Sequence, residues 1–94
     1  MLTLYVKYFC KSGMRQTFVE ELEESGVAAK VRAEEGCLCY KYYYPADEPD
    51  TVFLLEQWTS PRHQEIHMTQ AHMAQLKEIK EKYVVRTVFG EEAL

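Results

Sequence analysis

Several features are scarce in this 94-residue sequence, and each scarcity excludes a class of protein. No apolar run approaches the length of a membrane-spanning helix, and the first residues, MLTLYVKYFCKSG, lack the charged start and small-residue cleavage site of a secretory signal. Eleven basic residues stand against 15 acidic ones, so the basic stripe that nucleic acid requires is missing. We therefore expect a cytoplasmic protein with no membrane and no nucleic-acid partner.

Cysteine is also scarce, and so are residues that interrupt a compact fold. Because Cys10, Cys37 and Cys39 are odd in number and no secretory signal is visible, we expect free thiols in a reducing compartment. Four glycines and three prolines occur, without a repeat, linker or low-complexity stretch. Ninety-four residues suit one hydrophobic core and are too few for two. The sequence therefore predicts a single domain over residues 1–94.

The sequence does contain a regular succession of strand-like segments. Residues 2–10 (LTLYVKYFC) carry apolar side chains at every second position, which is typical of a half-buried strand. Residues 37–44 (CLCYKYYY) and 51–58 (TVFLLEQW) flank the turn-forming PADEPD and predict a hairpin. Residues 83–89 (YVVRTVF) predict a fourth strand followed by a frayed tail.

Helical periodicity fills the intervals between these strands. Apolar residues recur at spacings of three and four between residues 14 and 22, and residues 27–36 suggest a short second helical piece. Ser60 followed by Pro61 predicts the start of a helix over residues 62–83, bent near Thr69. The order βαββαβ predicts an α+β, ferredoxin-like fold, a four-stranded antiparallel sheet with its helices on one face.

Neither face of the predicted sheet is polar throughout. Alternate residues of the segment 51–58 are Leu54, Glu56 and Trp58 on one face and Phe53, Leu55 and Gln57 on the other. Because helices cover only one face of a ferredoxin-like sheet, the second apolar face needs another cover. We therefore expect a homodimer joined through the open sheet faces.

The segment EQWTSPRHQEIHMTQAH, residues 56–72, holds the only tryptophan and all three histidines. Trp58 ends a predicted strand, while His67 and His72 lie on the helix that follows and could turn toward its ring. Each residue alone is more simply explained as core filler or as a surface histidine. Their combination predicts a shared pocket between sheet and helices.

Two further features favour such a pocket. One face of the second predicted strand carries a row of large side chains, Leu38, Tyr40, Tyr42 and Tyr44. If this face lies under the helices, the row would line a cavity with aromatic rings that end in hydroxyl groups. A dimer interface explains the same row equally well. Glu56 interrupts an otherwise apolar face, so its carboxylate must be hydrogen-bonded, paired or hydrated. Cys37 and Cys39 also share a parity, which is typical of core thiols.

The same histidines raise the question of a metal site. His63 and His67 are four residues apart on one helix face, a spacing compatible with two metal ligands. The zinc-protease pattern requires glutamate directly after the first histidine, and that position is Gln64. Since no neighbouring cysteine or aspartate completes a tetrahedron, the sequence favours a site without metal.

Three places in the sequence carry a resemblance to a known family: the segment EEGCLCY at residues 34–40, the EQW at residues 56–58 and the downstream His67, Thr69 and His72. In these places the sequence resembles the antibiotic biosynthesis monooxygenase domain family. These are small, dimeric, ferredoxin-like proteins that include quinol monooxygenases, and the similarity runs over nearly the whole chain. The resemblance implies a dimeric α+β barrel. It also implies oxidation of a small aromatic molecule such as a quinol by O₂, with no cofactor.

The resemblance assigns roles as well. His67 or His72 would accept the phenolic proton, and Trp58 with Tyr40 would hold the aromatic ring. Haem degradation is disfavoured, because Leu76 and Lys77 occupy the region where a haem-ligating histidine would lie. The residues predicted for the site are His67, His72 and Trp58 as catalytic groups and Tyr40, Tyr42, Glu56 and His63 as substrate-binding groups.

Two alternatives stand beside the oxygenase. Other proteins of this fold isomerise or process small phosphorylated or signalling metabolites. A non-catalytic dimer that binds a small molecule would use the same pocket without turnover.

Overall fold

The computed structural model describes residues 1–91, which form four strands and four helices. In chain order these are β1 (Leu2–Cys10), α1 (Arg15–Glu24), α2 (Val27–Arg32), β2 (Cys37–Tyr43), β3 (Thr51–Trp58), α3 (Pro61–His67), α4 (His72–Tyr83) and β4 (Val84–Glu91). The expected frayed tail was wrong for residues 90 and 91, which belong to β4. The rest of that tail lies outside the described residues.

The sheet has the strand order β2-β3-β1-β4, and all three pairings are antiparallel. Its helices cover one face. This confirms the predicted α+β, ferredoxin-like fold. None of the helices in residues 1–91 is long and apolar enough to cross a membrane.

The core lies between the helices and the covered face of the sheet. On β3 burial alternates as the parity predicted, with Leu54, Glu56 and Trp58 buried. The helices contribute buried apolar side chains, among them Phe18 of α1 and Val31 of α2. Helix α3 contacts β3 at one end of this core, and the predicted site residues lie at that end.

The predicted helix over residues 62–83 is in fact two helices, because the i→i−4 hydrogen-bond ladder is interrupted at residues 68–71. At the break, the Thr69 hydroxyl donates to the carbonyl of Ile66 (2.7 Å), in competition with the backbone ladder. In a continuous helix, residues five apart point about 140° away from each other. His67 is the last residue of α3 and His72 is the first residue of α4. The break between the two helices therefore allows both side chains to point toward the same place.

A β-bulge in β2 changes the predicted parity of that strand. The register shifts between Cys37 and Cys39, so Cys37 pairs with Trp58 on the covered face while Cys39 pairs with Gln57 on the open face. The expected shared face for the two thiols was therefore wrong. Leu38, at the bulge, is exposed, and the tyrosine row consists of Tyr40 and Tyr42 alone.

Candidate functional site

One carboxylate joins two of the predicted site histidines. Oε2 of Glu34, in the loop between α2 and β2, lies 2.8 Å from Nδ1 of His67 and 2.7 Å from Nε2 of His72. The His67 side chain is 2% exposed, whereas those of Glu34 and His72 are 10% and 13% exposed. Because an ionised carboxylate only accepts hydrogen bonds, both ring nitrogens donate to it in that state.

A second carboxylate lies on the other side of the His67 ring. Oε1 of Glu56 is 3.9 Å from Nε2 of His67 and accepts a 3.1 Å hydrogen bond from Nε1 of Trp58. The indole also packs on the imidazole, with ring centroids 4.7 Å apart and planes inclined by 32°. His67 is therefore held between two carboxylates and against an indole that has no exposed surface.

The environment of Glu56 has opposing effects on its charge. Burial raises the pKa of this carboxyl group, while the Trp58 hydrogen bond and the His67 charge lower it; the net direction is upward. A carboxyl group with a raised pKa binds a proton more readily at neutral pH than an exposed glutamate does. The sequence requirement that Glu56 be hydrogen-bonded or paired is met here by Trp58 and His67 together.

Local sequence explains how α3 presents its histidines. Ser60 caps the helix by accepting from the backbone N–H of His63 (3.3 Å), with Pro61 in the first turn as predicted. Nδ1 of His63 also lies 2.7 Å from the Ser60 hydroxyl. The His63 ring lies over Gly36, where a Cβ atom would come within 2.4 Å of the ring and where φ is +82°. Glycine is thus required at this position on both grounds.

The two buried tyrosines of β2 extend the site away from Glu34. The Tyr40 ring meets His67 edge-on, with centroids 6.2 Å apart, and Tyr42 lies beyond it at 5.7 Å from Tyr40. Burial raises the pKa of both phenols. The Tyr42 hydroxyl is buried without a hydrogen-bond partner among the described residues.

A cavity of about 190 Å³ opens beside the cluster and connects Glu34 with solvent. Its lining residues are Glu34, Glu35, His63, Ile66 and Gln70. A more open cavity of about 410 Å³ lies where β1, β4 and α3 meet, and none of the predicted site residues lines it. A small molecule in the smaller cavity can contact Glu34. Trp58, His67 and His72, which were expected to line the pocket, do not line this cavity, since the packed core leaves them behind Glu34.

The structure brings most of the predicted residues into one cluster. Contacts or hydrogen bonds join five of them, which are Trp58, His67, His72, Glu56 and Tyr40. His63 lines the adjacent cavity, and Tyr42 lies beyond the Tyr40 ring. Sequence reasoning missed Glu34 as a functional residue. Its position in the EEG preceding β2, directly before the obligatory Gly36, is the signal that could have found it.

Comparisons with known proteins agree with this fold. The family model of antibiotic biosynthesis monooxygenases matches residues 1–79, so the chain belongs to the antibiotic biosynthesis monooxygenase family. This confirms the resemblance inferred from sequence. No curated protein matches the chain significantly.

Solved structures are similar over almost the full chain. A Pseudomonas aeruginosa protein shares 23% identity and a TM-score of 0.81, with 97% of this chain and 90% of that one covered. A structure described as an antibiotic biosynthesis monooxygenase shares 20% identity and a TM-score of 0.78, with both chains fully (100%) covered. A Bacteroides thetaiotaomicron protein, described as a possible oxidoreductase, shares 23% identity and a TM-score of 0.78, with 97% and 96% covered. At these identities the likeness establishes the fold alone.

Proposed function

We propose that this protein is a monooxygenase that oxidises a small aromatic or quinol substrate with O₂, without flavin or haem. The observation that carries the proposal is the arrangement of His67 between the carboxylates of Glu34 and Glu56, beside a cavity that reaches Glu34. Oxidation of a quinol begins with loss of a phenolic proton, and this arrangement can accept and hold one.

The substrate supplies all four electrons that reduce O₂ in this reaction. A quinol and O₂ give a hydroxyquinone and water: one oxygen atom joins the ring and the other leaves as water. The protein therefore has to bind the aromatic ring, remove its proton and exclude bulk water. Family membership supports this choice among reactions, since the matching family model is that of antibiotic biosynthesis monooxygenases.

Glu34 is the group that a substrate in the cavity would contact. We assign it the role of proton acceptor, with His67 and His72 as the hydrogen-bond donors that hold its carboxylate in place. Trp58 has no exposed surface and packs on His67, so we assign it a positioning role rather than the stacking role expected from sequence. Among the other lining residues, His63, Ile66 and Gln70 would contact the substrate ring, whereas the Glu35 side chain is almost fully exposed to solvent.

The proposal includes a homodimer formed through the open face of the sheet. Phe53 on that face stacks with Tyr5 (centroids 5.6 Å apart) and meets Tyr43 edge-on at 6.3 Å. Contiguous aromatic surface of this kind is typical of subunit interfaces. A second copy of the chain would cover it by the same surface, as two-fold symmetry requires.

The test is O₂ consumption with a panel of quinols, comparing Glu34→Gln with the neighbouring Glu35→Gln. Glu35 is 94% exposed and serves as the matched control. Removing a general base lowers turnover by roughly 10²- to 10⁴-fold. We expect that loss in Glu34→Gln and unchanged turnover in Glu35→Gln. Equal turnover in both variants would refute the role of Glu34.

The isomerase alternative uses the same proton-transfer groups. Glu34, which lines the cavity and is hydrogen-bonded to His67, could also move a proton between two positions of a small phosphorylated or signalling metabolite. Such a reaction consumes no O₂. Turnover of a metabolite under anaerobic conditions would therefore favour the isomerase, and ligand binding without any turnover would favour a non-catalytic binding protein.

A further inference from the structure

We propose that Glu34, His67 and His72 form a binding site for a divalent transition-metal ion of the zinc class. Oε2 of Glu34, Nδ1 of His67 and Nε2 of His72 lie within 4.8 Å of one another. Two imidazoles and one carboxylate are the donor set of many zinc and non-haem iron sites. Metal–ligand bonds of about 2.0–2.1 Å place tetrahedral ligands about 3.3 Å apart. The observed hydrogen-bond separations of 2.7 and 2.8 Å therefore need only a small expansion.

The surroundings of His67 contain a carboxylate placed to give the outer support that metal-binding histidines usually have. If Nδ1 binds the ion, the ring proton lies on Nε2, which faces Oε1 of Glu56 at 3.9 Å. This separation must shorten by roughly 0.7 Å for the ring to donate a hydrogen bond to that carboxylate. That carboxylate is itself oriented by the Trp58 hydrogen bond of 3.1 Å. A carboxylate that accepts from the far nitrogen of a histidine ligand fixes the ring and strengthens its bond to metal. The neighbouring indole also restricts the rotation of the ring.

Charge at the cluster favours a cation. The Glu34 and Glu56 carboxylates are both largely buried and both adjoin His67. Within residues 1–91, their only ion-pair partners are His67 and His72, and neither carboxylate contacts a lysine or arginine. Buried carboxylates without a permanently charged partner are costly. A divalent ion bound to Glu34 would neutralise that carboxylate directly.

Three protein ligands leave one coordination position open. The cavity of about 190 Å³ reaches Glu34 from solvent, so it gives the ion a path of entry and leaves room for a bound water. The sequence favoured a metal-free site because it paired His63 with His67. In the structure Nδ1 of His63 lies 2.7 Å from the Ser60 hydroxyl instead, and His72 takes its place.

This inference is independent of the proposed oxygenase. The ion would bind the two ring nitrogens that otherwise donate hydrogen bonds to Glu34. The cluster therefore cannot hold the ion and keep those two hydrogen bonds at the same time. Bound zinc would therefore inhibit a reaction in which Glu34 accepts a proton. Because the nitrogens must lose their protons to bind metal, affinity for the ion should fall as pH is lowered.

The test is a titration of the chelator-treated chain with Zn²⁺ in competition with a chromophoric chelator. We expect one ion per chain. Glu34→Gln and His72→Gln keep the size of the side chain and should weaken binding by more than 100-fold, since each removes a ligand. Glu56→Gln should weaken it by roughly 10- to 100-fold, the usual effect of losing an outer partner. Stoichiometric binding that survives in Glu34→Gln would overturn the proposal.

Two matched controls and one spectrum make the result specific. Glu35→Gln and His63→Gln change a neighbouring carboxylate and a neighbouring imidazole outside the ligand set, and both should keep the native affinity. Co²⁺ bound at the site should show no thiolate charge-transfer band, which separates this cluster from nearby Cys37. A thiolate band, loss of affinity in either control, or absence of one-to-one binding would each contradict the proposed ligands.

Discussion

Both faces of the sheet carry aromatic and aliphatic side chains, yet these side chains lie in different environments. On the covered face Leu54 and Trp58 are fully buried under the helices, and the polar groups of Glu56 and His67 are paired. On the open face the aromatic rings pack on one another at the surface. Hydrophobicity alone therefore does not distinguish the two. The difference arises from which face the helices cover.

The covered face is itself divided. At the end near α1 its buried side chains are aromatic and aliphatic, with Phe18 meeting Tyr8 edge-on at 5.3 Å. At the end near α3 it contains two carboxylates and a buried imidazole. Polar groups in a core reduce stability unless every one is satisfied. Their concentration beside the cavity that Glu34 lines supports the proposed functional site.

The strongest test of the comparison uses two adjacent leucines of β3. Leu54 is fully buried on the covered face, whereas Leu55 is half-buried on the open face. Leu54→Ala should lower the free energy of unfolding by about 2–5 kcal/mol at both protein concentrations, because Leu54 is buried within one subunit. Leu55→Ala should cost less at the low concentration and more at the high one, where the proposed dimer covers the open face. Urea unfolding at two protein concentrations measures both. A loss in Leu55→Ala that is the same at both concentrations would mean that no second subunit covers this residue.

A charge placed on the open face tests the proposed dimer. Phe53→Glu would bury an unpaired carboxylate at the interface, which costs about 3 kcal/mol and raises the dimer dissociation constant roughly 100-fold. Ala29→Glu adds the same charge on the exposed side of α2 and should leave the dimer intact. Sedimentation velocity compares the two. A monomeric native chain, or a Phe53→Glu chain that still dimerises, would rule out this interface.

A smaller effect is expected from the hydrogen bond between Trp58 and Glu56. Trp58→Phe keeps an aromatic ring but removes the N–H that donates to Oε1 of Glu56. Leaving a buried acceptor without this donor costs about 1–3 kcal/mol. A double-mutant cycle with Glu56→Leu should give a coupling energy near 1 kcal/mol, measured by urea unfolding. Additive losses would show that the bond contributes nothing.

The smallest effect concerns pH. Because folding raises the pKa of Glu56 above 4.5, its burial stabilises the metal-free chain below that pH, and this contribution is lost as pH rises through the folded value. Glu56→Gln does not titrate, so its Tm relative to the native chain should increase between pH 4 and pH 7, by less than about 5 °C. Glu35→Gln, at a 94% exposed side chain, is the matched control for removing a carboxylate. A pH-independent Tm difference for Glu56→Gln would contradict the raised pKa.

The candidate site was only partly predictable. Trp58, His67 and His72 were found because rare residue types crowd one segment, and Glu56 because a carboxylate on an apolar strand face requires a partner. Glu34 was not found. Its role depends on a contact with a residue 33 positions away and on another 38 positions away, and periodicity carries no information about such contacts.

By itself the sequence determined the strands, their alternation and the ferredoxin-like order, because these follow from local periodicity and turn residues. The tertiary structure alone decided three things: the bulge that turns Cys37 and Cys39 to opposite faces, the break between α3 and α4, and the meeting of two histidines on one Glu34 oxygen. Each depends on how separate elements pack, and a one-residue shift in register or a four-residue break is enough to redirect a side chain.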